Sequence, residues 1–474
     1  MNSADPPSGG HRYWTRTDRA AGGLAADLGL YALSAAFAAV TAATSTLLPH
    51  RAWGGVAAVG YLAATVAVVG QLLARHRRPD SRLAGTAARA VLTGVTWAST
   101  ALLPMIWQCV QRAGGRVDRA QEEVLVIERS GARLLDHGTP YLGRDAIAAL
   151  PPGGEQLLGY TPYQPGMAIF GLPRALAGAA WWTDARIWFA LVTAAAIAMA
   201  VVVLRRPTGT RPQATVRDTA LTCAARDAAL GGTAQDAALV GVARDAALVR
   251  AVQLATVLPI CALTLATGGN DLPVLALCLL ALACCAARRP GAAGLAVGLA
   301  AALKLFAWPV ALVLLAHAAS RGRRSAMRLA AGAIGLPVAA LVPAHLVDSA
   351  ALVENVLRFP LGHGLVTSPA QSPFPGYLIA ETLPAGRLVA AALLVAAGLV
   401  IAVQLVRRPP RTAASAALFC GYGLLAAILL MPSTRFGYLL YPIAFLAWAP
   451  ALRLAGAPFN QPTGHREPMS ASTS

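Results

Sequence analysis

The sequence predicts an all-α polytopic membrane protein with about twelve transmembrane helices. Of its 474 residues, 57% are hydrophobic and only 13% are charged, and the mean hydropathy is +0.57. A water-soluble domain of this size needs more charge than this. Apolar runs of roughly 17 to 25 residues recur, each long enough to cross about 30 Å of hydrocarbon as a helix. Because unpaired backbone polar groups are costly in lipid, helices are the expected form.

Each apolar run is assigned as one span, and the polar ends are assigned as tails. Residues 1–23 lack the pattern of a cleavable signal peptide and are predicted to form a cytoplasmic tail. Residues 454–474 are polar and are predicted to be a disordered cytoplasmic tail. The predicted spans lie near 24–46, 54–74, 87–106, 186–204, 251–268, 272–287, 291–303, 305–319, 327–346, 387–406, 413–431 and 436–453.

Arginine clusters between the apolar runs indicate the orientation. The formal net charge of +18 would suggest a nucleic-acid partner in a soluble protein. Here the retention of positive loops in the cytoplasm explains it, so no nucleic acid is expected. If the protein lies in the plasma membrane with both termini in the cytoplasm, every cluster falls on the cytoplasmic side. The clusters are RHRRPDSR from Arg75, LRRP from Leu204, RRP from Arg288, SRGRR from Ser320 and RRPPR from Arg407.

Two long loops, 107–185 and 347–386, then face the extracytoplasmic side and are the expected location of the function. The run 166–182 in the first loop is apolar but interrupted by Pro173 and Arg174. We therefore predict that it lies flat at the membrane interface, within a first-loop subdomain of interfacial helices. The other predicted units are the N-terminal helices 24–106 and the transmembrane core 186–453, which includes the cytoplasmic loop 205–250.

The cytoplasmic loop contains a nine-residue repeat. Its copies are RDTAL at 217, RDAAL at 226, QDAAL at 235 and RDAAL at 244. Nine residues make two and a half helical turns, so the copies share no single helix face. The expansion of a tolerated loop is favoured over a partner site. The cysteines show no metal-ligand spacing, so no zinc site and no disulfide framework is indicated.

Lys304 is the single lysine of the chain and the first candidate site residue. It interrupts the apolar part of segment 288–324, as does Pro309, so two short spans with Lys304 near the outer turn are predicted. An ammonium group within an apolar segment costs roughly 3 kcal/mol on insertion scales, so an anionic partner is expected. A phosphate ligand is favoured over snorkelling of the side chain to the headgroups.

Several local patterns surround these positions and resemble those of one enzyme family. They are EEVLVIERSGARLLDHGTPYLG (122–143), YTPYQPGMAIFGLPRAL (160–176), TGGNDLPVLAL (267–277), GLAVGLAAALKLFAWP (294–309), NVLRFPLGHGLVTSPAQSPFPGYLIA (355–380) and MPSTRFGYLLYP (431–442). Over roughly residues 107–450 the sequence resembles the polyprenyl-phosphate-sugar-dependent glycosyltransferases of the GT-C superfold. It is most similar to glycosyltransferase family 87 and its actinobacterial mannosyltransferase-like members.

The resemblance implies a GT-C-like fold and a hexosyltransferase. The implied reaction moves a hexose, with mannose favoured, from a polyprenyl-phosphate donor to a lipid or cell-envelope glycan acceptor. It implies inversion at the sugar, independence from metal ions and no cofactor. The implied partners are the donor, the acceptor and the surrounding membrane lipids.

The transfer needs a carboxylate that takes the proton of the acceptor hydroxyl and cations that stabilise the departing phosphate. Glu123 is the candidate base, and Lys304 and Arg435 are the candidate phosphate ligands. Members of the family generally carry an aspartate at the position aligned with Glu123, so the base stays open between Glu122 and Glu123. An arginine at the interface also suits a lipid headgroup, which is the alternative role of Arg435.

Asp271, Tyr163 and His363 are further candidate substrate-binding residues. The alternatives are a helix N-cap for Asp271, an interfacial belt residue for Tyr163 and a mobile loop histidine for His363. The competing function is that of a transporter or a flippase for lipid-linked sugars. Transporters commonly carry internal repeats and polar groups at mid-membrane. Here the spans are nearly free of central charge and the acidic residues concentrate in one outer loop, which favours an enzyme.

Overall fold

The computed structural model describes residues 20–206 and 223–456, and in these ranges every regular element is a helix. The predicted tails before residue 20 and after residue 456 lie outside the described residues, as does the first repeat copy at 217. The long helices are α1 (Leu24–Thr44), α2 (Leu48–Arg77), α3 (Thr86–Ala113), α4 (Glu122–His137), α5 (Ala185–Arg205), α6 (Cys223–Thr256), α7 (Pro259–Thr267), α8 (Asp271–Ala286), α9 (Pro290–Leu303), α10 (Ala307–Ala319), α11 (Arg323–Val347), α12 (Gly386–Arg407), α13 (Ala413–Leu430) and α14 (Phe436–Gly456).

Short helices fill the two predicted outer loops, and single turns occur elsewhere. The first loop, between α3 and α5, also contains α4. An isolated parallel bridge pairs Gln371 with Thr434. The short helices and turns are Ala20–Gly23, Arg82–Ala84, Val117–Arg119, Arg144–Ala148, Gly154–Gly159, Pro165–Gly171, Leu172–Ala177, Trp181–Thr183, Ser349–Val353, Glu354–Arg358 and Pro375–Thr382, and α3 contains a π-turn at Ala98–Leu102.

Eleven of the twelve predicted spans correspond to one helix each, and the span 251–268 covers the end of α6 and all of α7. The count of twelve membrane crossings is not confirmed. In the described part of the chain, eight helices are long and apolar enough to cross a bilayer. A ninth follows if α7 and the preceding half of α6 count as one bent span. Helices α8, α9 and α10 have 16, 14 and 13 residues, which is short of a full span. The segment predicted to lie flat at 166–182 consists of short helical pieces, so it forms no span.

The predicted span at 251–268 is wrong in its start and its continuity. Helix α6 begins at Cys223, within the predicted cytoplasmic loop, and runs to Thr256. The helix axis then bends by 45° before α7 begins at Pro259. Pro259 is the first residue of α7, where its missing N–H costs nothing, whereas it could not continue the hydrogen bonding of α6.

Helix α8 lies at the centre of the bundle. All of its residues are buried, from Asp271 to Ala286, because the helix is apolar around its whole circumference. It packs against α5, α9, α13 and α14. Its N-terminus therefore presents Asp271 at the end of the bundle that also carries the outer loops.

A buried network of charged side chains fastens α4 to the bundle. Arg112 at the end of α3 donates to Glu128 of α4 over 2.6 and 2.7 Å and to Asp184 over 2.8 Å. Arg186 donates to both oxygens of Asp184, and Arg174 lies 3.2 Å from Glu128. Burial opposes ionisation of Asp184, but Arg186 and Arg112 together hold the pKa of its carboxyl below its usual range.

A second polar cluster joins the two outer loops. The buried carboxylate of Glu354 accepts hydrogen bonds from Arg144 over 2.8 Å and from Tyr160 over 3.0 Å. Asn355 accepts one from the backbone N–H of Thr161 over 2.7 Å. The loops 107–185 and 347–386 thus form one layer over one end of the bundle, although they are distant in sequence.

Helices α1 and α2 pack on each other as a hairpin, which α3 and α6 hold in place. Asp27 of α1 forms a bidentate pair with Arg89 of α3 at 2.6 and 3.0 Å, and Arg250 of α6 lies 2.9 Å from the same carboxylate. The indole N–H of Trp53 in α2 donates to the carbonyl of Thr100 in α3 over 2.7 Å. This hairpin is therefore part of the bundle.

Candidate active site

The first half of the candidate site forms where the break between α9 and α10 meets the start of α8. Lys304 follows the last residue of α9 in an extended conformation, so its side chain leaves the helix axis. Its Nζ donates to Oδ1 of Asp271 over 2.6 Å and to Oδ1 of Asn270 over 3.2 Å. The hydroxyl of Tyr441 donates to Oδ1 of Asp271 over 2.7 Å. Asn270 in turn donates from its amide to the hydroxyl of Tyr163 over 2.9 Å.

Aromatic rings surround the ammonium group of Lys304. Its Nζ lies 5.5 Å from the ring centroid of Tyr163, 5.9 Å from that of Phe306 and 5.2 Å from that of Tyr438. These distances are in the range of cation–π attraction. Burial raises the pKa of Tyr163 well above its usual range, and Tyr438 and Asp271 act in the same direction. The phenol of Tyr163 therefore stays protonated and can donate a hydrogen bond.

The second half of the site is an ion pair between the first outer loop and the last outer turn. The guanidinium of Arg435 donates to Oε1 of Glu123, the second residue of α4. Both side chains remain partly accessible, with 31% of Arg435 and 18% of Glu123 exposed. The neighbouring Glu122 is exposed. Of the two acids left open by the sequence, Glu123 is thus the one held beside a cation.

A short strap from the second outer loop holds the turn that carries Arg435. The backbone N–H of Ser372 donates to the carbonyl of Thr434 over 2.9 Å, and that of Thr434 donates to the carbonyl of Ala370 over 3.0 Å. The hydroxyl of Ser372 also accepts from the backbone N–H of Phe436 over 2.9 Å. The residues on both sides of Arg435 are therefore fixed by residues 370–372.

The two ion pairs lie close together because both contact the glycine turn before α8 or the residue that follows it. A Cβ atom at Gly268 would lie 3.1 Å from Oε2 of Glu123, and Asp271 follows three residues later. On the other side, the ring of Tyr438 contacts Lys304 and its backbone N–H donates to the carbonyl of Arg435. The site thus brings two carboxylates and two cations to the end of the bundle that the outer loops cover.

The model of glycosyltransferase family 87 matches residues 160–432, which is more than half of the chain. The chain belongs to glycosyltransferase family 87. Membership indicates a membrane glycosyltransferase and is consistent with the GT-C superfold; it favours an enzyme over the transporter alternative. No curated protein and no solved structure matches the chain.

The family 87 match covers the second outer loop and most of the core, but not every candidate residue. Tyr163, Asp271, Lys304 and His363 lie inside residues 160–432. Glu122, Glu123 and Arg435 lie outside them, so the assignment of the base and of the second cation depends on the geometry of the site.

The structure brings most of the predicted site residues together. The two linked halves of the site contain Glu123, Arg435, Lys304, Asp271 and Tyr163. Asp271 does not act as a side-chain N-cap, because α8 has no side-chain cap hydrogen bond and the carboxylate faces Lys304. His363 is exposed on the second outer loop, where its backbone carbonyl accepts from Arg144 over 3.2 Å. Its role in substrate binding stays a prediction.

Sequence reasoning missed several polar side chains that complete the site. Asn270 and Tyr441 hold Asp271 and Lys304, and Gln121 lies beside Gly268. A signal for Asn270 was available, since a Gly-Gly-Asn-Asp turn before a fully apolar helix is costly unless its polar groups are satisfied. Ser372 gave no signal, because its role depends on a contact with a turn about sixty residues later.

Proposed function

We propose that this glycosyltransferase moves a hexose, with mannose favoured, from a polyprenyl-phosphate donor to a hydroxyl of a lipid or cell-envelope glycan, with inversion at the anomeric carbon. The observation that carries the proposal is the meeting of Glu123 and Arg435 with Asp271 and Lys304 at one end of the bundle. Two cations beside two carboxylates supply phosphate ligands and a base, which are the groups that this transfer requires.

The ion pairs suggest how the donor enters. Each cation is held by a carboxylate in the described structure, and a phosphate group can replace Glu123 as the anionic partner of Arg435. Arg435 then leaves Glu123, which becomes available as a base. The partial exposure of Glu123 and Arg435 favours this exchange, because a carboxylate that is released into a partly hydrated site is not left uncompensated in a dry interior.

The bonding changes of the proposed reaction balance within these groups. The acceptor oxygen attacks the anomeric carbon, Glu123 takes the hydroxyl proton, and the bond between that carbon and the phosphate oxygen breaks. The donor phosphodiester carries one negative charge, whereas a free phosphate monoester carries about 1.5 to 2. Lys304 and Arg435 therefore stabilise the leaving group more in the transition state than in the bound donor, which is the condition for catalysis.

The donor and sugar are tested with purified protein in lipid nanodiscs. We expect transfer of label from polyprenyl-phosphate mannose to a membrane lipid or envelope-glycan fraction, and none from nucleotide-activated mannose alone. A faster reaction with polyprenyl-phosphate glucose would replace mannose, and a faster reaction with polyprenyl-phosphate arabinose would replace the hexose by a pentose; both would keep the donor class. Use of the nucleotide sugar alone would contradict the donor class, and an α-linked donor that yields an α-linked product would contradict inversion.

The sidedness of the site belongs to the same proposal, with the plasma membrane as the location. Arginines concentrate at the bundle end opposite the site, around the turns that follow α2, α8, α10 and α12. This distribution supports a cytoplasmic position for that end and an extracytoplasmic site. Alkaline-phosphatase fusions within 347–386 should be active, whereas fusions within 205–250 should be inactive. Equal activity at both positions would contradict the topology.

A further inference from the structure

His50 lies at the outer end of α2, in the N-terminal hairpin that precedes the family 87 match. Its Nε2 lies 2.7 Å from Nε2 of Gln121. The side-chain oxygen of Gln121 accepts a hydrogen bond from the hydroxyl of Thr267 over 3.1 Å. The same hydroxyl donates to the carbonyl of Leu263 over 2.9 Å. The contact of 2.7 Å places the Gln121 side chain directly between His50 and Thr267.

Gln121 connects this histidine to both halves of the site. It is the residue that precedes α4, two positions before Glu123, and its backbone N–H donates to the carbonyl of Thr267 over 3.0 Å. Its side-chain oxygen lies 2.7 Å from the position of a Cβ atom at Gly268, beside Glu123. The backbone and the side chain of Gln121 therefore both hold the start of α4 against the glycine turn before α8.

We propose that His50 is a positioning residue for Glu123 and acts through Gln121. The inference depends on the proposed role of Glu123 as the base, and His50 itself does not touch the reacting groups. Without the imidazole, the Gln121 amide loses one of its two contacts, and only the hydrogen bonds of Gln121 to Thr267 hold the start of α4 on this side. A displacement of about 1 Å in a reacting group can cost on the order of 100-fold in rate. The N-terminal hairpin would therefore contribute to catalysis by positioning Glu123.

The test uses the full-length protein in nanodiscs with the substitutions His50→Ala, His50→Gln and His345→Ala. The amide of a glutamine reaches about as far as imidazole Nε2 and keeps an acceptor, so His50→Gln is the rescue variant. His345 is an exposed histidine near the outer end of α11 and serves as the control. We expect His50→Ala to lower kcat by about 10- to 100-fold with little change in the donor KM. We expect His50→Gln to stay within a few-fold of wild type and His345→Ala to match it.

A double variant separates positioning from general damage. If His50 acts through Gln121, the variant His50→Ala with Gln121→Ala should be no slower than Gln121→Ala alone. If the two substitutions lowered kcat independently, so that their fold-losses multiplied in the double variant, the proposal would be overturned. A His50→Ala protein with wild-type kcat, or a His50→Gln protein as slow as His50→Ala, would also overturn it.

Hydrogen–deuterium exchange gives a readout that does not depend on the substrate. Peptides covering 119–125 and 264–270 should exchange faster in His50→Ala and at the wild-type rate in His50→Gln. If the wild-type protein transfers no sugar from any polyprenyl-phosphate donor, the proposed function fails and exchange alone decides on the link. Faster exchange in His50→Ala, reversed in His50→Gln, would then support the positioning of α4 by His50, and equal exchange would overturn it.

Discussion

The outer end of the bundle contains two clusters of arginine, lysine and acidic side chains that differ in how completely they are closed. In the network of Arg112, Glu128, Asp184 and Arg186, the exposed fraction of the side chains is 0 to 6%. In the candidate site, Glu123 and Arg435 are 18% and 31% exposed, and Lys304 and Asp271 are 8% and 11% exposed.

The two clusters also differ in the number of cations that each carboxylate contacts. Each carboxylate of the buried network contacts two arginines, whereas each carboxylate of the site contacts one cation within the described part of the chain. A closed network loses stability when one member is removed, while an accessible pair can exchange one partner for a ligand. The first cluster should therefore control folding and the second should control the reaction.

Replacing the proposed base should have the largest effect on catalysis. Glu123→Gln keeps the side-chain shape and removes the proton acceptor, so transfer should fall by roughly 10²- to 10⁴-fold while the melting temperature stays near that of wild type. The measurement is initial transfer rate at saturating donor, with the exposed Glu122→Gln as the matched control. A slow Glu122→Gln and an active Glu123→Gln would assign the base to Glu122 instead.

Replacing the arginine at the centre of the buried network should affect folding. Arg112→Met removes the shared partner of Glu128 and Asp184, and breaking a buried pair in this way costs about 3–5 kcal/mol. We expect a large drop in melting temperature and in the yield of folded protein, with the activity per folded molecule largely retained. Arg116→Met, which breaks the exposed pair with Asp118, should leave melting unchanged. Equal melting of the two variants would remove the distinction between the clusters.

Removal of the lysine should lower the rate by about 10²-fold, the effect of losing one donor to a developing anion. Lys304→Ala also leaves Asp271 without its cation, so the matched variant is Lys304→Ala with Asp271→Asn. The double variant should recover the melting temperature but not the transfer rate or donor affinity. If the double variant also recovered the transfer rate and the donor affinity, Lys304 would serve only to neutralise Asp271.

The smallest effect is expected from the strap. Ser372→Ala removes the acceptor for the backbone N–H of Phe436, and a typical net hydrogen bond contributes about 0.5–1.5 kcal/mol. The donor KM should therefore rise by roughly 2- to 10-fold, because the turn with Arg435 becomes less fixed. Thr382→Ala serves as the control, since that hydroxyl bonds to Leu378 within its own helix. An unchanged KM in Ser372→Ala would mean that the strap does not orient Arg435.

Local patterns in the sequence predicted the helices well, and the bounds of most of them within a few residues. Hydropathy located a helix at every predicted span, and Lys304 with its neighbours correctly marked the break between α9 and α10. The early start of α6 was missed because its repeats contain arginine and aspartate and are too polar for a span, although their alanine, leucine and arginine residues favour a helix. The crossing count of twelve included the two short spans predicted around Lys304, and it is not confirmed because α8 to α10 are all shorter than a full span.

The sequence predicted the types of residue in the site better than their contacts. It singled out Glu123, Lys304 and Arg435 through chemistry and resemblance. The pairing of Glu123 with Arg435 joins residues 312 positions apart, and no local pattern encodes such a contact. The buried network was equally hidden, although Arg112 and Arg186 at the ends of apolar helices were a signal, since such charges require partners.

The shortness of α9 and α10 has a consequence for the bilayer itself. With 14 and 13 residues, these helices extend about 20 Å at 1.5 Å per residue, against a hydrocarbon thickness of about 30 Å. If both helices cross the bilayer, the lipids beside them would have to compress or tilt to cover the shorter apolar surface. The leaflet next to Lys304 would then be depressed toward the membrane centre, and the phosphate of the proposed lipid-linked donor could reach the ammonium group while its hydrocarbon tail stays among the acyl chains.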